Sequence, residues 1–233
     1  MTLSDRQIDT YSRQIILREF GGRAQETLLA STAAILGDDL AAETAATYLA
    51  GAGVGRLLVE EALTRRDAFA PLAERSPDTE LVMLDDRSPA GTPATAASAG
   101  APGEQRGAQS PAAAAGEPGR AQIALIAGQR VADEIEAQIG TLFMGATPQG
   151  TTRLLLLPAD AALCARCVAP LAPIHGPAEA AIAGTLAALT ALRWLAGIGD
   201  PPRAEARELG PTDAAWSTPA WPESAPCPHR SPR

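Results

Sequence analysis

Three consecutive residues, Gly37, Asp38 and Asp39, stand where phosphate chemistry is common in α/β proteins. They follow a short apolar run and precede an alanine-rich stretch, and the free N–H groups at such a helix start can bind a phosphate. A GxGxxG loop would need glycine at the positions of Gly37, Asp39 and Ala42, and only Gly37 fits. A carboxylate about 4 Å from a phosphate charge is opposed by about 4 kcal/mol at an effective dielectric of about 20. A carboxylate that caps its own helix contributes roughly 1 kcal/mol, so Asp38 and Asp39 are predicted to cap the helix that follows them.

The segments around this turn predict one βαβ unit. Residues 33–36 are predicted to form a strand, residues 39–52 a helix and residues 57–59 a second strand. The same patterns predict helices within the first thirty residues, near 131–139 and over 177–196, and strands at 81–84, 123–126, 142–146 and 153–157. Helices alternate with apolar strands, which is typical of a parallel sheet.

Composition narrows the range of partners. The chain has 233 residues, a net charge of −8 and 46% hydrophobic residues, enough for one sizeable core. A negative surface argues against nucleic acid and against an anionic membrane. The helix over 177–196 is long enough to span a bilayer, but Glu179 and Arg193 favour a buried core helix. No signal peptide is recognisable, so we expect a cytoplasmic protein.

The chain is predicted to be one domain with two appendages. Residues 1–209 form the predicted α/β domain, interrupted at about 87–120 by a segment rich in Ala, Gly and Pro. This segment has too few apolar side chains to pack, so it is predicted to be a flexible insertion. Residues 210–233 are predicted to form a Pro-rich tail.

Three motifs occur in an order that is specific, although each alone is weak. They are YSRQII at 11–16, QETL at 25–28 and YLAGAGVG at 48–55. Together they resemble the ThiF/MoeB/HesA family, the bacterial relatives of ubiquitin-activating enzymes. Residues 184–201 resemble a late helix of the same family. The resemblance implies a Rossmann-like, doubly wound and mostly parallel sheet with N-terminal helices and a late antiparallel extension.

The resemblance also implies an activity and a set of site residues. Members of the family bind ATP and Mg and adenylate the C-terminal glycine of a ubiquitin-like or sulfur-carrier protein. Gly37 and Asp39 fall in the nucleotide loop, and Glu61 falls where the family holds the ribose hydroxyls. Arg13 matches an arginine that crosses a dimer interface to the partner's ATP. The alternatives are an acid at a strand end for Glu61 and a solvated helix face for Arg13.

The sequence departs from the family at three places in the nucleotide site. The glycine loop carries Asp38 and Asp39. Residues 62–69 lack the Asn-x-x-Arg-Gln element and the chain has no lysine, which leaves Arg65 or Arg66 as the available phosphate contacts. Residues 127–130 read AGQR where the family has an aspartate-containing turn. These three losses favour a pseudoenzyme.

A metal site is implied at the other end of the chain. Cys164 and Cys167 form a CxxC pair where many family members have half of a structural four-cysteine zinc site, and the tail offers Cys227 and His229. Tetrahedral zinc accepts three thiolates and one imidazole. Three free thiols are the alternative, because the Cys-x-His spacing is tighter than the usual pair.

The function predicted from the sequence is therefore a non-catalytic member of an activating-enzyme system. It would act as the heterodimer partner that gives Arg13 to an active ThiF-type subunit, or as a scaffold for the carrier protein. Two alternatives remain open. One is an active ATP-dependent adenylyltransferase of the carrier's C-terminus, and the other is a nucleotide-sensing protein. The expected dimer partner is an active ThiF-type subunit or a second copy of this chain.

Overall fold

The protein is described here from a computed structural model, which covers residues 2–67, 69, 71–84, 121–127, 140–147, 150–158, 172–200, 203–209 and 216–217. The described helices are α1 (Asp5–Ile15), α2 (Gly21–Leu29), α3 (Leu40–Gly51), α4 (Glu61–Thr64), α5 (Leu72–Arg75) and α6 (Pro177–Leu195). The described strands are β1 (Thr32–Leu36), β2 (Arg56–Glu60), β3 (Glu80–Leu84), β4 (Ile123–Ala127), β5 (Gly140–Ala146), β6 (Thr152–Leu157), β7 (Glu205–Leu209) and β8 (Trp216–Ser217).

The described strands form one sheet in the order β3-β2-β1-β4-β5-β6-β7-β8. The strands from β3 to β5 are parallel, and β6, β7 and β8 continue the sheet in antiparallel pairs. The predicted Rossmann-like sheet with a late antiparallel extension is therefore confirmed. The chain winds outwards from β1 in both directions, and the crevice beyond the carboxyl ends of β1 and β4 is where open α/β sheets bind ligands.

Helices α3 and α6 pack on one face of the sheet and on each other. Their buried sides consist largely of alanine, and these small side chains let the two helices lie close together over Ile35, Leu57 and Leu125. Strand β1 is buried along its whole length, as expected for a central parallel strand. This packing fixes the start of α3 above the carboxyl end of β1.

Helix α6 is the one helix in the described ranges that is long and apolar enough to span a membrane. Five of its alanines are at most 1% exposed because they face α3 and the sheet; they are Ala180, Ala183, Ala187, Ala188 and Ala191. The prediction of a core helix is confirmed by this burial. The alanine face of α6 is already buried against α3 and the sheet.

Helix α1 begins where the sequence specifies a capping box. The Ser4 hydroxyl accepts from the Gln7 N–H, and the Gln7 side chain accepts from the Ser4 N–H at 3.0 Å. These two bonds satisfy N–H groups that the first turn leaves free. The cap holds α1 in the orientation that places Tyr11 against the rest of the domain.

Some elements were not predicted, and some predictions fall on residues outside the description. Strand β7 and the short helices α4 and α5 are additional elements, and β8 extends the sheet into the predicted tail. The predicted insertion at 87–120 and the predicted helix at 131–139 lie outside the described residues, as do the zinc ligands at 164–167 and 227–229.

Candidate functional site

The turn between β1 and α3 lies at the crevice and is built around Gly37. Gly37 has φ of +120°, a conformation that L side chains rarely adopt. A Cβ at this position would lie 2.7 Å from the carbonyl oxygen of Ala127 at the end of β4. Gly37 is therefore required by the close approach of the turn to β4, whether or not a ligand binds.

The N–H of Gly37 already has an acceptor inside the protein. It donates to Oε2 of Glu60 at 2.9 Å, and Glu60 is only 8% exposed. Glu60 is the last residue of β2, so its side chain reaches across to the neighbouring β1 turn. An N–H group that a phosphate loop would direct at a ligand is thus used by a carboxylate of the same chain.

Of the two predicted capping residues, Asp39 occupies the N-cap of α3, whereas the Asp38 carboxylate makes no hydrogen bond with a described residue. The backbone of Asp39 is extended, and its Oδ1 accepts from the Ala42 N–H at 2.9 Å. The other carboxyl oxygen is buried and has no hydrogen-bond partner among the described residues. Burial raises the pKa of Asp39, and the bonds from the Ala42 and Ala41 N–H groups oppose that rise only in part. Asp39 therefore caps the start of α3, although burial disfavours the charged form of its carboxyl group.

Arg66 holds the outer side of the same turn. Its Nη1 donates to the carbonyl oxygen of Asp38 at 2.8 Å, and its Nε pairs with the carboxylate of Glu43 in the first turn of α3. The guanidinium thus joins the turn to the helix that follows it. Arg66 was predicted as a substitute phosphate contact, and in this structure its donors are directed at internal acceptors.

The predicted ribose acid, Glu61, lies on the surface. It starts α4 and forms an ion pair with Arg65 at 2.6 Å, in which both side chains are more than half exposed. The acid that faces the turn is its neighbour, Glu60, which was not predicted from the sequence. The difference of one residue arises because β2 continues through Glu60 before the chain turns into α4.

Arg13 lies in the last turn of α1 and is exposed. It makes no hydrogen bond or ion pair with any residue that the structure describes. None of the contacts described above joins it to the Gly37 turn of its own chain. Its guanidinium is therefore open to solvent and to another molecule.

Helix α1 is attached to the domain through a second buried acid, Asp78. Its carboxylate accepts from Arg6, from Gln7 at 3.1 Å and from the Tyr11 hydroxyl at 3.1 Å. Burial opposes ionisation of Asp78, but these hydrogen bonds outweigh it and hold the pKa of the carboxyl below its usual value. Burial, followed by the nearby Asp78 charge, raises the pKa of Tyr11 to about 12. We call Arg6, Gln7, Tyr11 and Asp78 the α1 clamp.

The family motifs meet beside the α1 clamp. Gly53 has φ of +85°, and a Cβ there would lie 2.7 Å from both Tyr11 Cζ and Gln25 Nε2. Gln25 is fully buried and donates to the Ala52 carbonyl at 3.0 Å. The motif residues Tyr11, Gln25 and Gly53 therefore pack on one another, which gives each of them a structural role.

The described residues contain no group of three His, Cys, Asp or Glu side chains placed to hold a metal ion. The predicted zinc ligands Cys164, Cys167, Cys227 and His229 lie in parts of the chain outside this description. The zinc site accordingly stays a prediction.

Comparisons with known proteins agree with this architecture. Over 59 residues the chain is 44% identical to the vegetative HesA protein of Trichormus variabilis and 42% identical to the heterocyst HesA protein. That match covers 25% of this chain and 22% of each HesA protein. No model of a known protein family matches the chain.

Solved structures show the same fold at low sequence identity. Escherichia coli MccB superposes with a TM-score of 0.58 at 11% identity, covering 84% of this chain and 64% of MccB. PaaA superposes with a TM-score of 0.60 at 14% identity, covering 94% of this chain and 74% of PaaA. The chain therefore shares the Rossmann-like fold of MccB and PaaA. The HesA match and the ordered motifs make the chain similar to the ThiF/MoeB/HesA family over the part that they cover.

Proposed function

We propose that the chain is a non-catalytic partner or scaffold subunit of a ThiF-type activating-enzyme system in the cytoplasm. The observation that carries this proposal is that the nucleotide turn is satisfied from within. The Gly37 N–H donates to Glu60, the Ala42 N–H donates to Asp39, and Arg66 joins Asp38 to Glu43. Two of the N–H donors that a phosphate loop would direct at ATP, those of Gly37 and Ala42, are therefore already occupied.

Electrostatics supports the same conclusion. Four carboxylates surround the turn and one guanidinium stands among them; the acids are Asp38, Asp39, Glu43 and Glu60. A phosphate entering within about 4 Å of one unscreened carboxylate is opposed by about 4 kcal/mol at an effective dielectric of about 20. Removing the Asp39 cap would cost about a further 1 kcal/mol. The residues present do not fit ATP and Mg, so no catalytic step is assigned to them.

The role proposed for Arg13 follows from its position. It stands at the end of a helix that the α1 clamp attaches firmly, and its guanidinium has no internal partner in the described structure. A planar guanidinium can bind phosphate oxygens through two parallel hydrogen bonds. Arg13 is thus suited to contact a nucleotide held by another subunit, which is the role proposed for it.

The proposed partners are an active ThiF-type subunit, or a second copy of this chain, and a ubiquitin-like or sulfur-carrier protein. The structural neighbour MccB has been solved with ATP and in complex with N-formylated MccA. Those ligands belong to MccB, and they motivate the choice of partner class. Zinc at Cys164, Cys167, Cys227 and His229 is proposed as a structural metal, which metal analysis of the purified chain would test.

Exchange of pyrophosphate into ATP tests the proposal. The chain alone, mixed with candidate carrier proteins, is expected to give no carrier-dependent exchange, and an active ThiF-type subunit is expected to gain activity when the chain is added. Carrier-dependent exchange by the chain alone would contradict the proposal and establish the adenylyltransferase alternative.

The role of Arg13 is tested in the mixed system. Arg13→Ala is expected to remove most of the gained activity and to leave the association of the two subunits intact. Arg75→Ala is the matched control because Arg75 is also exposed and unpaired in the described structure. Equal activity of the two variants would show that Arg13 is not the donated residue.

One observation favours the nucleotide-sensing alternative. Glu60 lies at the end of β2, the position from which Rossmann-like folds bind ribose hydroxyls. If the chain binds a nucleoside lacking phosphates, Glu60→Gln should weaken that binding at least tenfold. Binding of adenosine without binding of ATP would distinguish this alternative from the adenylyltransferase.

A further inference from the structure

A groove far along the sheet from the Gly37 turn has the composition of a ligand site. It lies between the C-terminal half of α6 and strands β6 and β7, and its cavity is about 370 Å³. Small-molecule sites commonly have volumes of about 300–1,000 Å³. We call this cavity the α6–β7 groove.

One wall of the α6–β7 groove is apolar and partly open to solvent. Leu189, Trp194 and Ile198 contribute to it. Leu189 is 52% exposed although it lies on a helix whose other side is buried in the core. Leu189 and Ile198 also line a second cavity, which extends towards the end of α1. An exposed leucine inside a concave surface favours an apolar occupant.

The α6–β7 groove differs from the rest of the protein in the sign of its net charge. The chain carries a net charge of −8, whereas the groove combines three arginines with two acids; these are Arg193, Arg203, Arg207, Asp200 and Glu205. A local positive excess in an acidic protein attracts anions to that place on the surface.

Only one of the arginines is occupied in the described structure. Arg207 pairs with Glu205 at 2.8 Å. Arg193 and Arg203 make no hydrogen bond or ion pair with a described residue, and the Arg193 guanidinium lies close against the backbone at Gly199. The dipole of α6 favours a cation in its last turn, which accounts for Arg193 but not for Arg203. Two guanidiniums therefore remain free to pair with an anion.

From this arrangement we infer that the α6–β7 groove binds a small apolar carboxylate. The carboxylate pairs with Arg193 and Arg203, since a guanidinium can bind both carboxylate oxygens. The hydrocarbon part lies against Leu189, Trp194 and Ile198. This site does not depend on the proposed function, because none of its residues belongs to the nucleotide turn or to the α1 clamp.

Calorimetric titration of the full chain with hexanoate tests the inference, with hexanamide and acetate as matched probes. Hexanamide keeps the chain and lacks the charge, whereas acetate keeps the charge and lacks the chain. Hexanoate is expected to bind saturably, at least tenfold more tightly than either probe, and more weakly at high salt. Equal binding of hexanoate and hexanamide, or no binding of hexanoate, would overturn the inference.

Variants show whether the binding occurs in this groove. The double substitution Arg193→Gln and Arg203→Gln is expected to weaken hexanoate binding at least tenfold. Arg75→Gln removes the same kind of exposed, unpaired arginine at a distant place and is expected to leave the affinity unchanged. Similar affinities for the double variant and the control would place the ligand elsewhere and refute the site. Because all three arginines are exposed, the variants should retain the wild-type circular dichroism spectrum.

Discussion

The α1 clamp and the nucleotide turn each contain a carboxylate in a restricted environment, but the two carboxylates differ in how they are satisfied. Asp78 accepts from three side chains, and the pKa of its carboxyl is lowered. Asp39 accepts from backbone N–H groups, keeps one buried oxygen without a described partner, and has a raised pKa. The hydrogen bonds of the α1 clamp therefore stabilise the charged form of Asp78. In the nucleotide turn, burial of Asp39 destabilises the charged form of that carboxyl group.

This difference explains why the family motifs survive in one place and are altered in the other. Tyr11, Gln25 and Gly53 contact one another, so their identities follow from packing. The turn retains Gly37, which the approach to β4 requires, and has Asp39 and Ala42 in place of the other two glycines. The packing contacts that stabilise the fold are thus present, whereas the residues that would face a nucleotide differ from the family motif.

The largest predicted effect is on the packing beside the clamp. Gly53→Ala places a methyl group 2.7 Å from Tyr11 and Gln25 at a positive φ, and it should lower the free energy of unfolding by about 3 kcal/mol. Gly51→Ala is the control because a Cβ there meets nothing within 4 Å. Replacing a helical glycine with alanine should stabilise the chain by about 0.5–1 kcal/mol. Urea unfolding measures both, and equal midpoints would show that the motif contact is not tight.

A smaller loss of stability is expected when the carboxylate of the α1 clamp, Asp78, is replaced. Asp78→Asn weakens the charge-assisted hydrogen bonds from Gln7 and Tyr11 and should cost about 2 kcal/mol. Asp67→Asn is the control, since Asp67 is exposed, and its change should stay within about 0.5 kcal/mol. Chemical denaturation at neutral pH measures the difference. A cost below that of the control would show that the clamp does not stabilise the fold.

The two carboxylates should respond to pH with opposite signs. The pKa of Asp78 is lowered by folding, so its stabilisation is present above its unfolded pKa of about 4 and is lost as pH falls through the folded value. The pKa of Asp39 is raised by folding, so its contribution decreases as pH rises from about 4 through the folded value. Unfolding series from pH 3 to pH 7 for Asp78→Asn and Asp39→Asn should therefore diverge from wild type in opposite directions. Parallel curves would contradict this comparison.

The smallest effect is expected at the helix cap. Asp39→Asn keeps a good capping side chain and removes a charge that burial disfavours, so the free energy of unfolding at pH 7 should change by less than about 0.5 kcal/mol. Asp39→Ala removes the cap and should cost about 1 kcal/mol. Thermal unfolding of the two variants measures the difference. A larger cost for Asn than for Ala would mean that the charge itself holds the turn.

The sequence was sufficient to predict the elements whose patterns are local. Strand β1 and helix α3 follow from an apolar run, two acids at the helix start and an alanine-rich stretch, and Asp38 and Asp39 were predicted as caps for that reason. Strand β7 was missed because its charged residues Glu205, Arg207 and Glu208 hide the alternation, and only pairing with β6 makes it a strand.

The contacts of the site were harder to predict because they join residues distant in sequence. Arg66 reaches the Asp38 carbonyl across 28 positions, and no local pattern indicates which of two adjacent arginines will do so. Glu60 and Glu61 differ by one position, and the end of β2 decides which of them faces Gly37. The end of a strand can be predicted from sequence only to within one or two residues. Here that margin led to the prediction of the exposed Glu61 in place of the buried Glu60.

The central claim is that internal side chains close the nucleotide turn. Calorimetric titration of the purified chain with ATP and Mg tests it most directly, together with a variant carrying Asp38→Gly and Asp39→Gly. We predict no measurable heat of binding for the wild-type chain and measurable binding for the variant, because the variant removes two acids and frees the Ala42 N–H. Micromolar binding of ATP to the wild-type chain would contradict the account and would make adenylation the first activity to measure.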